Sequence, residues 1–184
     1  GTAGPVQVVV TAPGGSSSLN PPVTTYTYVA VPTVTGINPP SGPLGGGVPV
    51  TISGTGFVSG GTTVTFGGNV AVVTSVNASG TQMTVTTPAH ALGAVNVLVT
   101  TPGGSVTQTG GYTYVNQPNI SSLSPNNGPL AAGTQVIITG TDFTGATSVT
   151  FGGALGTNVS VNGSGTQLTV TAPAGTAGPV QVVV

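Results

Sequence analysis

Residues 37–57 read INPPSGPLGGGVPVTISGTGF, and residues 123–143 read LSPNNGPLAAGTQVIITGTDF. The first stretch opens on prolines and glycines, which kink and turn a chain, then passes into period-two alternation, with Val48, Val50 and Ile52 set against Pro49, Thr51 and Ser53. Side chains alternate faces along an extended chain, so this pattern gives a strand with one buried face. The stretch closes on Gly54-Thr55-Gly56-Phe57, a turn that delivers a large ring to the core. Turn, half-buried strand, turn and aromatic together predict an all-β fold.

The same alternation continues outward. Val64 and Phe66 alternate with Thr63 and Thr65, Met83 and Val85 with Thr84 and Thr86, and Val95, Val97 and Val99 with Asn96 and Leu98. Tyr112 and Tyr114 follow at the end of the run. Gly and Pro clusters separate these runs, and no stretch carries helical period. About seven short strands in about 85 residues predict a β-sandwich. The inward set is Val, Ile, Phe, Met and Tyr, and the outward set is largely Thr, which favours extended backbone while its hydroxyl faces water. Without Lys on the edge strands, those edges must be covered or used for pairing.

Repeats set the organisation. Residues 37–57 match 123–143 at an offset of 86, and Val64-Thr65-Phe66-Gly67-Gly68 matches Val149-Thr150-Phe151-Gly152-Gly153 at 85. Ser79-Gly80-Thr81-Gln82 matches Ser164-Gly165-Thr166-Gln167. The close of the unit occurs as Thr11-Ala12-Pro13-Gly14-Gly15 with Tyr26-Thr27-Tyr28-Val29, and as Thr100-Thr101-Pro102-Gly103-Gly104 with Tyr112-Thr113-Tyr114-Val115. The expected boundaries are residues 1–31 as the C-terminal strands of a preceding domain, 32–115 as a complete domain, and 116–184 as a domain lacking its last strand. Ala30-Val31-Pro32 and Asn116-Gln117-Pro118 are minimal linkers whose prolines restrict the hinge, so tandem domains read as beads on a semi-rigid rod.

These phrases, in this order, resemble the IPT/TIG family of immunoglobulin-like domains. The resemblance rests on Asn38-Pro39-Pro40-Ser41-Gly42-Pro43-Leu44, on Val50-Thr51-Ile52-Ser53-Gly54-Thr55-Gly56-Phe57, and on Val85-Thr86-Thr87-Pro88. It covers essentially the whole chain and implies tandem Ig-like sandwiches with a kinked first strand. The family includes DNA-contacting domains, receptor stalks, accessory modules of amylolytic enzymes and long bacterial surface arrays. The Thr-, Gly- and Val-rich tandem copies look like the bacterial arrays.

Composition removes function classes directly. There is no Lys, Arg or Cys, one acid (Asp142) and one imidazole (His90). Nucleic acids and anionic membrane surfaces are held mainly by Lys and Arg, so neither is an expected partner. One Asp and one His in different parts of the chain cannot build a metal site, and no cofactor is expected. The apolar share of 37% falls in short runs far below the roughly 18 residues of a membrane span. Direct membrane insertion is therefore not expected. A nearly neutral surface gives little colloidal repulsion, which suits a polymer.

No residue stands out as catalytic, cofactor-binding or metal-ligating, and the chain does not read as an enzyme. His90, in Pro88-Ala89-His90-Ala91, reads as a solvent-facing loop residue without a matching acid or nucleophile. Asp142 stands where the first copy has Gly56 and reads as a turn residue. The pairs Tyr26/Tyr28 and Tyr112/Tyr114 lie on final strands and read as core or inter-domain packing, with a sugar-stacking platform as the alternative. Asn77, Asn119, Asn158 and Asn162 open Asn-x-Ser triplets that this composition yields by chance.

Residues 1–10, GTAGPVQVVV, recur letter for letter as residues 175–184. Joining one copy's tail to the next copy's head would complete the last domain, either by strand donation between subunits or within a continuous array. In a swap the two decapeptides would compete for one strand position, which favours the array. The sequence thus predicts a structural repeat of an extracellular or cell-surface fibre, stalk or matrix filament, of bacterial type. Its partner would be itself, head to tail, with lateral bundling through exposed edges. The alternative is an adhesin or carbohydrate-binding array that engages glycans.

Overall fold

The structure, a computed structural model, describes residues 2–19 and 23–184. No helix occurs among them, and the fold is all-β, built of tandem Ig-like units. The chain divides into two compact units, Gly1–Val115 and Asn116–Val184.

The first unit begins with a hairpin. Strand β1 (Gly4–Gln7) runs antiparallel to β4 (Thr25–Tyr28), and the short β2 (Thr11–Ala12) and β3 (Gly15–Ser16) pair between them. A sandwich follows, with β5 (Thr33–Asn38), β6 (Ser41–Pro43), β7 (Pro49–Thr55), β8 (Thr63–Phe66), β9 (Asn69–Val70), β10 (Val72–Val76), β11 (Gln82–Thr86), β12 (Gly93–Thr101) and β13 (Gly104–Val115). One sheet has the order β10-β11-β7-β5 and the other β6-β13-β12-β8-β9. Antiparallel pairs dominate, and β6 joins β13 in parallel.

The proline phrase acts as the corner between the two sheets. β5 pairs with β7 in one sheet, the chain bends through Pro39-Pro40, and β6 continues in the other. Proline cannot donate to a ladder, so the break between sheets falls where two prolines stand together. The core between the sheets holds Val50, Ile52, Phe57, Val64, Phe66, Met83, Val85, Val97, Val99, Tyr112 and Tyr114. These are the inward positions of the alternating runs, and Phe57 from the Gly-Thr-Gly-Phe turn lies among them.

The short linker is fitted to this sandwich. Pro32 is buried, and the open face of Gly56 lies against its Cα. The Ala30 carbonyl sits so close to Gly103 that a Cβ there would overlap it.

The second unit repeats the plan in part. It has β14 (Asn119–Ser124), β15 (Gln135–Thr141), β16 (Thr150–Phe151), β17 (Ala154–Leu155), β18 (Thr157–Val161), β19 (Gln167–Thr171) and β20 (Val182–Val183). Its sheets have the orders β14-β15-β19-β18 and β17-β16-β20. Val136, Ile138, Phe143, Val149, Leu168 and Val170 form its core. Among the described residues of this unit, 127–129, the counterpart of β6, form no strand, and no strand corresponds to β13.

Two features go beyond the sequence reading. The threonines of the alternating runs, Thr51, Thr63, Thr65, Thr84 and Thr86, stay out of the core, while Thr62, Thr87 and Thr101 at other positions are buried. Their hydroxyls accept turn and loop N–H groups, from Val58 at 2.8 Å, Val48 at 3.1 Å and Gly103 at 3.2 Å respectively. A buried donor left unpaired is costly, and here the side chain supplies the acceptor that the sheet does not. The sandwich also has more strand segments than the expected seven. The first strand is split by its prolines, and β10 carries a bulge between Val73 and Ser75 that disrupts its alternation.

Candidate functional site

Of the residues singled out in the sequence, the structure brings together His90, Tyr112 and Tyr114. No group of three or more His, Cys, Asp or Glu that could hold a metal is found among the described residues. His90 is not a free loop side chain. It is half-buried, its ring stacks on Tyr114 with centroids 5.1 Å apart and 24° between planes, and its Nδ1 donates to the Ala91 carbonyl at 3.0 Å. The left-handed Gly67 leaves room for that ring, since a Cβ there would meet His90 Nε2. His90 therefore extends the aromatic packing.

Asp142 has a φ of 61°, close to the 76° of Gly56 in the first copy. Asp tolerates this left-handed region better than most residues, and its Oδ1 accepts from Asn116 Nδ2 at 3.3 Å. Asn77 and Asn162 anchor equivalent loops. Asn77 Oδ1 accepts from the N–H groups of Thr81 (2.8 Å) and Gln82 (3.1 Å), and Asn162 Oδ1 from Thr166 (2.9 Å) and Gln167 (3.1 Å). Each loop then accepts the N–H of the core phenylalanine through the carbonyl of Gly80 or Gly165. These two triplets are turn-forming devices that hold the Gly-Thr-x-Phe turn.

The two tyrosine pairs differ sharply in environment. Tyr112 and Tyr114 are fully buried, whereas Tyr26 is 57% and Tyr28 51% exposed. Tyr112 packs edge to face on Phe66 at 5.1 Å, and Tyr114 Oη donates to the Pro88 carbonyl at 2.7 Å. Burial pushes the Tyr114 phenol up to about 12, with the neighbouring Tyr112 adding to the shift. Burial also raises Tyr112, against a smaller opposing effect of the Thr87 hydroxyl.

In the second unit the corresponding place is an open groove of about 640 Å³. Leu130, Val136, Phe151, Pro173, Val180 and Val182 line it. They correspond in order to Leu44, Val50, Phe66, Pro88, Val95 and Val97 of the complete sandwich. A mainly apolar groove, with Asn126, Asn127, Thr134 and Thr176 also on its wall, can bind an extended peptide strand or a flat ring. The groove lining was not legible in the sequence, because it becomes visible only once the partners of Tyr112 and Tyr114 are known.

The IPT/TIG domain profile matches residues 32–114 and 118–184. The chain belongs to the IPT/TIG domain family. Human fibrocystin-L is 34% identical over 118 residues, which is 62% of this chain and 3% of that protein. Mouse fibrocystin-L is 32% identical over 120 residues, with the same coverage. The chain therefore spans about 3% of the length of the curated relatives it matches. The extracellular region of plexin A4 is similar in structure, with a TM-score of 0.51 and 25% identity, over 84% of this chain and 14% of that one. These curated relatives are mammalian, so they lend no support to a bacterial source for the TIG tandem.

Proposed function

We propose that this TIG tandem is a structural repeat segment of an extracellular fibre, stalk or matrix filament, with residues 1–31 serving as the closing strands of a preceding domain. The observation that carries this reading is the recurrence of one hairpin. β1 and β4 pair Gly4 with Tyr28 and Val6 with Tyr26, and β12 and β13 pair Gly93 with Tyr114 and Val95 with Tyr112. A segment that folds in the register of the last two strands of a TIG domain is a domain end waiting for its body. Extracellular placement accords with the extracellular region of plexin A4, to which the chain is similar.

The mechanism is mechanical. Each sandwich is a bead, the linker fitted under Gly56 and Gly103 limits bending, and the near absence of charge leaves little repulsion between neighbours. Electron microscopy of the native material tests this. Unbranched filaments with a regular axial repeat are expected, and dispersed particles of one or two domains would overturn it.

A second reading, glycan binding, rests on the exposed Tyr26/Tyr28 pair, since Tyr112 is buried and cannot present its ring to a sugar. Glycan-array binding lost on Tyr26→Ala would favour that reading, and no binding would remove it.

A further inference from the structure

We propose that the groove of the second TIG domain accepts the Tyr26–Tyr28 strand of a second copy of this chain, so that copies join head to tail. This rests on the reading of the chain as a repeat in an end-to-end assembly, and names the junction.

The acceptor surface is built for this strand. Of the counterparts, Val50, Phe66, Val95 and Val97 belong to the core that holds Tyr112 and Tyr114, Leu44 packs against that core, and Pro88 accepts from Tyr114 through its carbonyl. The Pro173 carbonyl stands where the Pro88 carbonyl accepts from Tyr114 Oη. At Gly42 a Cβ would overlap the Tyr112 hydroxyl, and the equivalent residue is again glycine, Gly128. One hydroxyl has moved across the slot. Thr87, beside Tyr112, is replaced by Ala172, while Val48 is replaced by Thr134, whose Oγ1 lies 2.9 Å from the Cβ position of Gly128. Tyr112 Oη itself has no hydrogen-bond partner in the complete sandwich, whereas a tyrosine hydroxyl entering the groove would come beside the Thr134 hydroxyl.

The donor is already shaped. The rings of Tyr26 and Tyr28 lie 5.0 Å apart at 76°, and those of Tyr112 and Tyr114 lie 5.1 Å apart at 73°. Gly4, Gly93 and Gly178, at equivalent places in their strands, have φ of 139°, 123° and 126°. The far end of the hairpin repeats too, with Thr11 opposite Ser16 as Thr100 is opposite Ser105, and hydroxyl contacts of 3.0 and 2.9 Å. The donor hairpin thus has the shape of β12–β13 but leaves about half of each ring in water.

The two copies of GTAGPVQVVV compete for one place, and residues 175–184 hold it by few pairs. β20 pairs with β16 at Val182 and Val183 alone, whereas β12 pairs with β8 from Val97 through Thr100. Val180 is 51% exposed where Val95 is 8%. The incoming β1–β4 hairpin carries its own decapeptide in register, so residues 175–184 give way to a segment of identical sequence. The groove then gains two buried rings and a strand whose other edge can pair with residues 127–129, as β13 pairs with β6.

In that junction Thr27 of one copy lies opposite Asn127 of the next, as Thr113 lies opposite Ser41. The chain has no cysteine, so Thr27→Cys with Asn127→Cys gives one defined crosslink. Under mild oxidation this variant should form a ladder of multiples on a non-reducing gel, and light scattering of the parent chain should show mass rising with concentration. Tyr26→Ser with Tyr28→Ser should reduce both to monomer while the β-sheet spectrum and melting of the complete domain stay unchanged, because both rings are half exposed in the free chain. Residues 11–31 appended after Val184 should fill each copy's own groove and also give monomer. A parent chain that stays monomeric at all concentrations, or a ladder that survives loss of both tyrosines, would overturn the junction. Neither result bears on whether native material is filamentous, so the two readings fail separately.

Discussion

Asn77 and Asp142 show how polar residues in this nearly uncharged chain work on the backbone. Asn77 holds two N–H groups of the loop that clamps Phe57, so Asn77→Ala leaves both without their side-chain acceptor. The expected cost is about 1–2 kcal/mol, read as a lower denaturant midpoint for the complete domain, since the loop is exposed and water replaces part of the loss. Asp142 sits at φ 61°. Asp142→Gly should be close to neutral, whereas Asp142→Ala should cost the second domain about 1–2 kcal/mol, the penalty of placing an ordinary side chain in left-handed backbone. Equal effects of the two substitutions on its unfolding midpoint would show that the Asn116 contact, rather than the backbone angle, matters there. The role of Asp142 was legible from its alignment with Gly56. That of Asn77 was hidden by its resemblance to a glycosylation triplet, and that of His90 by its lone position, because a ring stacked on Tyr114 leaves no local pattern in the sequence.

The strands themselves were legible wherever alternation was unbroken, as at Val48–Ile52 and Val95–Val99, because one buried face imposes a period of two. The crossing of the first strand from sheet to sheet was legible only as a kink, since Pro39-Pro40 says where the ladder stops but not which sheet takes the chain next. A tighter constraint joins the strands at Gly54 and Gly140. A Cβ on Gly54 would overlap the Thr33 carbonyl and lie 2.8 Å from the Phe57 ring, and Gly140 stands in the same relation to Asn119 and Phe143. The obstacle is backbone of the neighbouring strand, which cannot rotate aside. Gly54→Ala should therefore push β5 away from β7 and destabilise the complete domain by about 1–3 kcal/mol, as overpacked cores do. Hydrogen exchange along β5 is the direct measurement, with faster exchange expected at Val34 and Ile37 and little change in β12.

At the scale of the whole molecule, all four tyrosines lie in the first unit and none in the second. Tyr114 has its phenol raised to about 12 and Tyr112 is raised as well, both chiefly by burial. A raised folded-state value means that the fold disfavours the phenolate, while the unfolded chain ionises near its ordinary value of about 10. Below about pH 10 both states hold the proton and stability is unaffected. As pH climbs from about 10 toward 12, the unfolded state releases protons that the folded state retains, so the complete domain loses stability across that window. The second domain should show no such loss, because its unfolding exposes no tyrosine. Two unfolding transitions followed by denaturant at pH 8 and at pH 11 should therefore move apart, the complete domain's midpoint falling while the other holds. Once a second copy seats its tyrosines in the groove, that distinction disappears: the accepting domain becomes sensitive to alkali in its turn, and assembled chains should come apart over the range in which the complete domain weakens.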